Sequence, residues 1–470
     1  MRGAPSTIVL TVAVAVAACG GRDDEGPGAP TDPLAAQLHA AARAHVDDSP
    51  VVPGVSVSVA RGNEILLQRG YGHVDLEWDV PTPGAGEASY GIGSVTKQFT
   101  AAAILLLAEE GKVDLDADFT DYVDFDTDGR VIPVRRLLDH TSGIESYTEM
   151  SVFGDLVPFD LPRDTLLRLV EDEPFRFEPG TALIYNNSAF FILGLIVETV
   201  SGMPYEDFVA TRLFEPAGME DSYYCSEDAI REDRAHGYDA AGPESLVRKG
   251  YLDHTWPYAA GSLCSTAGDL ARWNRALHGG RLLSPESYDA MITPRPLLDG
   301  SPVRYAMGIG TGTKGGRRYL AHGGGINGFT SALAWYPEQE LSIAVLQNST
   351  GAPGPGALAD RLAEIVLGPG SELPTEPFEG DPTRFVGSYT GVARGQMLTV
   401  HVTDDGGGLA FRSQGEQAEE PGPPLEVSHL GELRWGNEDV VLRFVTADGR
   451  IDELRYEAGS AHYVLRRAAR

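Results

Sequence analysis

Strand patterns stand at both ends of a long segment of this chain, with helical patterns between them. Near its start, an alternating run at residues 55–60 and an apolar run at residues 65–67 predict a β-hairpin. Strand patterns return much later, at residues 305–310, 330–336 and 341–347. One sheet must then be assembled from distant parts of the chain. We therefore predict an α+β fold, in which an antiparallel sheet is flanked by helices and a helical lobe is inserted in it.

The strongest helical pattern begins at Ser94 and ends at a C-cap signal, Gly111. Because this pattern is apolar nearly all round, we expect a buried central helix. Residues 34–47 predict an amphipathic helix ahead of the hairpin. Further helical patterns lie at residues 166–170, 189–200, 270–277 and 358–366.

The last part of the chain has a different composition. Residues 368–382 are rich in Gly, Pro and Glu, which is typical of a linker. Only short strand patterns separated by turn residues follow, at residues 385–390, 397–403, 408–412, 425–429, 433–435, 440–446, 451–456 and 461–465. They predict a small antiparallel β-barrel over residues 383–470, after a first domain over residues 34–367.

Charge limits the possible partners. The 470 residues include 37 Lys and Arg against 68 Asp and Glu, which gives a formal net charge of −31. Such an acidic surface repels phosphate groups, which argues against nucleic-acid binding and against lying on anionic lipid. Only four of the basic residues are Lys, so a Lys within an apolar helix, such as Lys97, stands out.

The N-terminus carries the pattern of an export signal. An apolar run at residues 8–18 is too short to span a bilayer, and Cys19 follows it directly. This ending resembles a bacterial lipobox, which predicts a lipoprotein signal over residues 1–19, a lipid on Cys19 and a flexible tether over residues 20–33. The protein would then be exported to the cell envelope and would contact the membrane only through its lipid. The alternative is ordinary signal cleavage beside an incidental Cys.

Two further cysteines remain, Cys225 and Cys264. Export places them in an oxidising compartment, where an even pair usually forms a disulfide. Two buried free thiols are the alternative.

Ser94 and Lys97 form the first candidate site. At positions i and i+3 of a helix their side chains share a face. A buried Lys97 would have a lowered pKa and could take the Ser94 proton, and the helix N-terminus would offer N–H groups to an oxyanion. The alternative is that Ser94 is a plain N-cap and that Lys97 lies at the surface.

Two more segments could carry chemistry. Tyr185 and Asn187 lie between a Pro-Gly turn and an apolar helix, where a phenol could relay a proton and an amide could hold an amine or a carbonyl. Further on, His322 begins a run of three glycines that includes Gly324 and Gly325, and such a run lets the backbone approach a ligand closely. Taken singly, these are also consistent with a loop Tyr beside an Asn N-cap and with a Gly-rich turn.

In this order the three motifs resemble the serine β-lactamase and penicillin-binding-protein superfamily, which has S-x-x-K, then Y-x-N, then K-T-G or H-x-G. The likeness is greatest to the class C β-lactamase branch with its related esterases and D-amino-acid peptidases. Residues 137–144 and 261–270 resemble scaffold segments of that family, and the resemblance covers about residues 34–350. The C-terminal barrel is similar to the lipocalin-like appendages that some members carry.

The resemblance implies a role for each residue of the first two motifs. Ser94 matches the acylated nucleophile, and Lys97 matches the base or proton relay. Tyr185 matches the phenol that serves acylation and deacylation, and either it or Lys97 is the base. Asn187 matches the contact to the substrate amide and to the Lys.

The third motif departs from the β-lactamase pattern. His322 stands where true β-lactamases carry Lys, and Gly324 matches the last motif position. The backbone N–H groups of Ser94 and Gly325 would form the oxyanion hole. A mostly neutral His suits a substrate carboxylate less well than a fixed cation, which favours ester or D-peptide substrates over β-lactams.

We therefore predict an exported serine hydrolase that acts through an acyl-enzyme on a small ester or D-amino-acid peptide, with no cofactor and no metal. Residues 124–129 resemble the start of a calcium loop, but Pro133 interrupts it and Arg135 stands at position twelve. A true β-lactamase or DD-peptidase is one alternative, and a non-catalytic envelope binding protein on the same fold is another. No pattern indicates an oligomeric state.

Overall fold

The computed structural model describes residues 32–468 except residues 405, 407 and 448. The predicted signal peptide, Cys19 and nearly all of the predicted tether lie outside these residues. Within the described part of the chain, no single helix is long and apolar enough to cross a membrane. One pair of helices bent by 80°, Asn187–Ser201 with Tyr205–Ala217, has the required length and composition only when the two are taken together.

Helices and strands are numbered along the chain. The helices are α1 Pro33–Asp47, α2 Thr96–Glu109, α3 Val134–Leu138, α4 Phe153–Leu156, α5 Arg163–Glu171, α6 Asn187–Ser201, α7 Tyr205–Val209, α8 Glu215–Ala217, α9 Tyr258–Gly261, α10 Ala267–His278, α11 Pro285–Ile292 and α12 Pro355–Leu367. The first strands are β1 Gly54–Arg61, β2 Glu64–Asp75, β3 Val80–Pro81, β4 Tyr90–Gly91, β5 Leu183–Ile184, β6 Tyr223–Tyr224, β7 Tyr238–Gly242, β8 Ser245–Arg248, β9 Leu263–Ser265, β10 Gly310–Lys314, β11 Arg317–Ile326, β12 Phe329–Tyr336 and β13 Leu341–Gln347. The last strands are β14 Gly387–Val392, β15 Met397–Asp404, β16 Leu409–Gly415, β17 Ser428–His429, β18 Arg434–Gly436, β19 Val440–Ala447, β20 Arg450–Ala458 and β21 Ala461–Arg467.

The main sheet joins strands that lie far apart along residues 54–347. Its order is β10-β11-β12-β13-β1-β2-β3, and its neighbours pair antiparallel. β1 lies beside β13, with Val57 opposite Val345. The predicted α+β architecture, with one antiparallel sheet built from distant segments, is therefore confirmed.

Two apolar cores cover the two faces of this sheet. Because side chains alternate along a strand, Val57 and Val345 point to one core while Ala344 and Leu346 point to the other. The first core lies under α1 and α12. The second contains α2, which is buried on almost every side as predicted and packs against α6. The catalytic candidates at the start of α2 are thus fixed to the centre of the helical lobe.

The strand predicted at residues 305–310 is wrong for residues 305–309, and strand β11 was not predicted. Residues 305–309 form a tight turn, in which the Ala306 N–H donates to the Ile309 carbonyl, and β10 begins only at Gly310. The turn is apolar because it is buried, not because it is a strand. Conversely, the glycine run at residues 323–325 lies inside strand β11, where pairing with β12 outweighs the low strand propensity of Gly.

The C-terminal part is a sheet of nine strands, eight of them in the order β16-β15-β14-β21-β20-β19-β18-β17. It curls around an aromatic core that includes Phe385, Tyr389, Trp435 and Phe444. Strands β16 and β17 stand at the two ends of this order, so the predicted barrel is a curled half-barrel sheet.

The ninth strand of this sheet comes from the first domain. β5 pairs antiparallel with β21, with Ile184 opposite Ala461 and Leu183 opposite His462. The C-terminal sheet is therefore hydrogen-bonded to the segment that leads directly into Tyr185.

The structure contains the predicted disulfide between Cys225 and Cys264. Cys264 lies in β9, which pairs with β4 just ahead of Ser94. The bond thus ties the loop after β6 to the strand beside the candidate nucleophile.

Candidate active site

Ser94 lies on a tight 3₁₀ turn, Gly93–Val95, between β4 and the start of α2. Gly93 has a φ of 51°, which favours Gly, and a Cβ there would lie 2.7 Å from the Gly325 backbone nitrogen. The turn therefore presses directly against β11. Ser94 thus lies two residues ahead of the first residue of α2 and does not begin it, although it still shares a face with Lys97.

Lys97 is completely buried, so the alternative of a surface Lys is wrong. Its Nζ lies 3.2 Å from Ser94 Oγ and donates to Asn187 Oδ1 and to the Ala260 carbonyl, both at 2.8 Å. Burial lowers the pKa of Lys97 well below its usual value, and the nearby charge of Arg394 lowers it further. A neutral amine beside Ser94 Oγ can accept the hydroxyl proton.

The two adjacent Asn residues after β5 make different hydrogen bonds and so have different roles. The Asn186 side chain caps α6 by accepting from the Ala189 N–H at 2.8 Å. Asn187 is thereby free to contact Lys97 through Oδ1 and to donate from Nδ2 to Thr148 Oγ1 at 3.1 Å. The N-cap alternative therefore applies to Asn186, and Asn187 belongs to the polar cluster around Lys97.

The Tyr185 hydroxyl is buried in the same cluster. Within the described residues it has no hydrogen-bond partner of normal geometry, although the Ser94 hydroxyl is close enough to affect its ionisation. Burial raises the pKa of Tyr185 well above its usual value, and Ser94 and Arg394 offset this only in part. The phenol is therefore a proton-bearing group that stays protonated at neutral pH.

His322 is neutral, and both of its ring nitrogens are already engaged. Its Nδ1 contacts the Gly323 carbonyl at 2.6 Å and so must carry the proton, which leaves Nε2 to accept from the Tyr305 hydroxyl at 2.9 Å. Burial, aided by Lys97, lowers the pKa of His322 to about 3. Both ring nitrogens are engaged, so this side chain offers no charge to a substrate.

The glycines after His322 allow β11 to approach the nucleophile. A Cβ on Gly324 would lie 2.0 Å from the Ile92 carbonyl oxygen and 2.3 Å from Ser331 Oγ. Gly325 is next along the strand and lies against the turn that carries Ser94. The two residues predicted to form the oxyanion hole are therefore neighbours.

These groups open into one cleft of about 810 Å³. Ser94, Tyr185, Asn187, His322, Gly324 and Gly325 all line it. The cleft is also lined by residues of the C-terminal sheet, namely Arg394, Gly459 and Ser460. That contribution had no signal in the sequence, because the turns between short strands carry no motif.

Arg394 is the functional candidate that the sequence analysis missed. It lies on the turn between β14 and β15, and its guanidinium carbon is 5.1 Å from the centroid of the Tyr185 ring. Its Nε donates to Glu149 Oε1 at 2.7 Å. A cation from the C-terminal sheet therefore stands over the candidate proton donor.

Residues 40–367 match the family model described as Beta-lactamase, which is more than half of the chain. The chain belongs to the beta-lactamase family. The predicted resemblance, and the prediction of a β-lactamase-related serine hydrolase, are confirmed at the level of this family.

Named relatives and solved structures are also similar to the chain. A D-aminopeptidase of Brucella anthropi is 29% identical over 362 residues, which is 76% of this chain and 67% of the relative. A D-amino acid amidase from Ochrobactrum anthropi SV3, solved with D-phenylalanine, is 25% identical with a TM-score of 0.63, covering 72% of this chain and 100% of that one. An octameric penicillin-binding protein homologue from Pyrococcus abyssi is 25% identical with a TM-score of 0.64, covering 91% and 99%. The last match extends past the family model into the C-terminal sheet.

In the described part of the chain, no group of three or more His, Cys, Asp or Glu side chains is arranged to hold a metal ion. The groups gathered around Ser94 are an amine, a phenol and amides, which suit proton transfer and hydrogen bonding.

Proposed function

We propose that this protein is a serine hydrolase that cleaves amide or ester bonds of D-amino-acid substrates through an acyl-enzyme. The single observation that carries the proposal is the fully buried Lys97, whose Nζ lies 3.2 Å from Ser94 Oγ. The similarity to a D-aminopeptidase and to a D-amino acid amidase supports the substrate class.

In this mechanism Ser94 Oγ attacks the substrate carbonyl carbon while the neutral Lys97 amine takes the hydroxyl proton. The backbone N–H groups of Ser94 and Gly325 stabilise the resulting oxyanion. Tyr185 gives a proton to the departing amine or alkoxide. Water then attacks the acyl-Ser94 ester and gives a proton to the Tyr185 phenolate. The Lys97 ammonium returns its proton to Ser94 Oγ as the acid leaves, which restores all three groups.

The directions of the two pKa shifts support one assignment of the base. Burial lowers the pKa of Lys97, which favours proton acceptance, and raises that of Tyr185, which favours proton donation. We therefore propose Lys97 as the base of acylation, with Tyr185 as the proton donor to the leaving group.

The test is hydrolysis of D-alanine p-nitroanilide by a form of the protein that begins at residue 20. We expect turnover that is faster than with the L enantiomer and that disappears in Ser94→Ala. Ser245→Ala is the matched control, since Ser245 lies exposed on β8, far along the chain from the motifs. Full activity of Ser94→Ala would refute the proposed nucleophile.

A chromogenic cephalosporin, tested in parallel, addresses the β-lactamase alternative. Because the chain is similar to a D-aminopeptidase and to a D-amino acid amidase, we expect cephalosporin turnover to be slower than D-amino-acid anilide turnover. A cephalosporin that is the better substrate would favour the β-lactamase function instead.

We further propose that the protein is exported and held at the cell envelope by a lipid on Cys19. The support is the lipobox-like ending of the apolar run at residues 8–18. In the producing bacterium, Cys19→Ala is expected to move the protein from the membrane fraction to the soluble fraction. Unchanged fractionation of this variant would contradict the lipid anchor.

A further inference from the structure

Arg394 brings a positive charge into a cleft in which the other basic side chains described are buried or paired. Lys97 is fully buried, with its amine already engaged by its neighbours, and His322 has both ring nitrogens engaged. Lys314 also lines the cleft, but it is paired with Asp360. Among the described residues of the cleft, Arg394 is thus the cation nearest to the reacting groups.

The position of Arg394 is fixed by a chain of polar contacts that starts at the reacting groups. Asn187 Nδ2 donates to Thr148 Oγ1, and the Thr148 hydroxyl donates to Glu149 Oε1 at 3.0 Å. The same carboxylate oxygen accepts from Arg394 Nε at 2.7 Å. The turn between β14 and β15 is therefore attached to the Lys97 cluster through its own Arg.

The turn itself is shaped for this close approach. Gly395 has a φ of 67°, and a Cβ there would lie 2.3 Å from Glu149 Oε2. A side chain at this position would push Glu149 away and break its contact with Arg394. The backbone is thus adapted to hold the guanidinium over the cleft.

The Arg394 guanidinium has further N–H donors that are available for a ligand. Only its Nε is engaged in a hydrogen bond within the described residues, so the two terminal nitrogens, Nη1 and Nη2, are available. The side chain remains 45% exposed. Two parallel N–H donors in a plane match the two oxygens of a carboxylate, which is the anion that Arg binds in a bidentate manner.

We propose that Arg394 forms a carboxylate subsite for the leaving group of the substrate, so that the C-terminal sheet supplies the charge that His322 does not. The guanidinium stands over the ring of Tyr185, the donor to the departing amine, and so faces the leaving-group side of the scissile bond. The subsite rests on the proposed function, and it specifies a peptide whose departing D-amino acid has a free carboxylate.

Two substrates that differ only in this charge test the subsite. D-alanyl-D-alanine and its C-terminal amide share the scissile bond, and cleavage of that bond is followed by chromatography. We expect the wild-type protein to prefer the free acid. In Arg394→Gln the ratio of kcat/KM for acid over amide falls on the order of 10- to 100-fold, the usual strength of a hydrogen-bonded charge pair, mainly through KM for the acid.

The ratio removes effects that both substrates share. Arg394 also lowers the pKa of Lys97, so its loss affects the base equally for either peptide. Arg394→Lys keeps the charge but not the planar pair of donors, and it should restore part of the preference. Arg412→Gln, an exposed Arg of the same sheet on β16, should leave the ratio as in the wild type.

Each result has a definite meaning. An equal loss of kcat/KM for both peptides in Arg394→Gln, or a wild-type preference for the amide, overturns the subsite. In either case, Ser94-dependent anilide hydrolysis still upholds the proposed function. If the wild-type protein cleaves neither peptide nor D-alanine p-nitroanilide, the proposed function fails, and the subsite fails with it. A circular dichroism spectrum equal to that of the wild type shows that Arg394→Gln is folded.

Discussion

His462 of the last strand pairs with Leu183, two residues ahead of Tyr185. The backbone that positions the proposed proton donor is therefore part of the C-terminal sheet. Together with Arg394, Gly459 and Ser460 in the cleft wall, this pairing makes the C-terminal sheet a structural part of the candidate active site. It is not an appendage that could be removed without effect.

Replacing Lys97 tests the base directly. Lys97→Met keeps the length of the side chain but has no amine to accept the Ser94 proton. We expect turnover of D-alanine p-nitroanilide to fall on the order of 10²- to 10⁴-fold, the usual contribution of a general base. Lys112→Met is the matched control, because Lys112 lies near the surface in a pair with Glu110. A Lys97→Met protein that keeps wild-type activity would exclude Lys97 from the mechanism.

The pH profile of the same reaction should have its acid limb set by Lys97. As pH falls through the lowered pKa, the amine becomes protonated and can no longer accept a proton, so kcat/KM decreases. Arg394 contributes to this lowering, so in Arg394→Gln the acid limb should move to higher pH. An acid limb that stays in place would show that another group controls it.

Stability at low pH should depend on His322. Its pKa of about 3 in the folded protein lies below the value near 6.5 of an exposed His, so the unfolded chain takes up the proton first. The free energy of unfolding therefore decreases as pH falls below about 6.5 and continues to decrease towards pH 3. His322→Gln should lose less stability than the wild type over this range in urea titrations. The exposed His236→Gln should behave as the wild type does, and identical losses in all three proteins would contradict the assignment.

The glycines of β11 offer a matched pair of substitutions. In Gly324→Ala the new methyl would overlap the Ile92 carbonyl and Ser331 Oγ, whereas in Gly323→Ala its nearest neighbour is the Ser331 carbonyl oxygen at 3.7 Å, an ordinary contact. We expect Gly324→Ala to lower the free energy of unfolding by about 1–3 kcal/mol, the range for an overpacked site, and to lower activity by displacing β11 from Ser94. Gly323→Ala should change thermal unfolding little. Equal effects of the two substitutions would show that the close approach of β11 is not required.

Local patterns correctly predicted those helices and strands whose pattern of apolar residues matches the faces that they bury. The alternation in β1 and β13 marks strands with one face in each core, and the apolar run of α2 marks a helix buried on all sides. β11 was missed because glycines carry no strand signal, and residues 305–309 were misassigned because a buried turn is as apolar as a strand.

The motifs identified the residues around Ser94 because their spacing reflects contacts within one or two elements. Ser94 and Lys97 are three positions apart, and Tyr185 and Asn187 flank the start of one helix. The pair of Arg394 with Glu149 joins residues 245 positions apart, and neither side belongs to a motif. The docking of the C-terminal sheet on the rest of the chain, which includes the pairing of β21 with β5, brings them together, and no local pattern can reveal it.

Because the turn at residues 393–396 carries Arg394, bond cleavage and the proposed selection of the leaving group depend on different parts of the protein. The groups proposed to break the bond come from the helical lobe and the main sheet, whereas the proposed selectivity for a charged leaving group comes from a sheet with none of the three motifs. Substitutions in this one surface turn can therefore change the substrate specificity during evolution, while the groups proposed to break the bond stay the same.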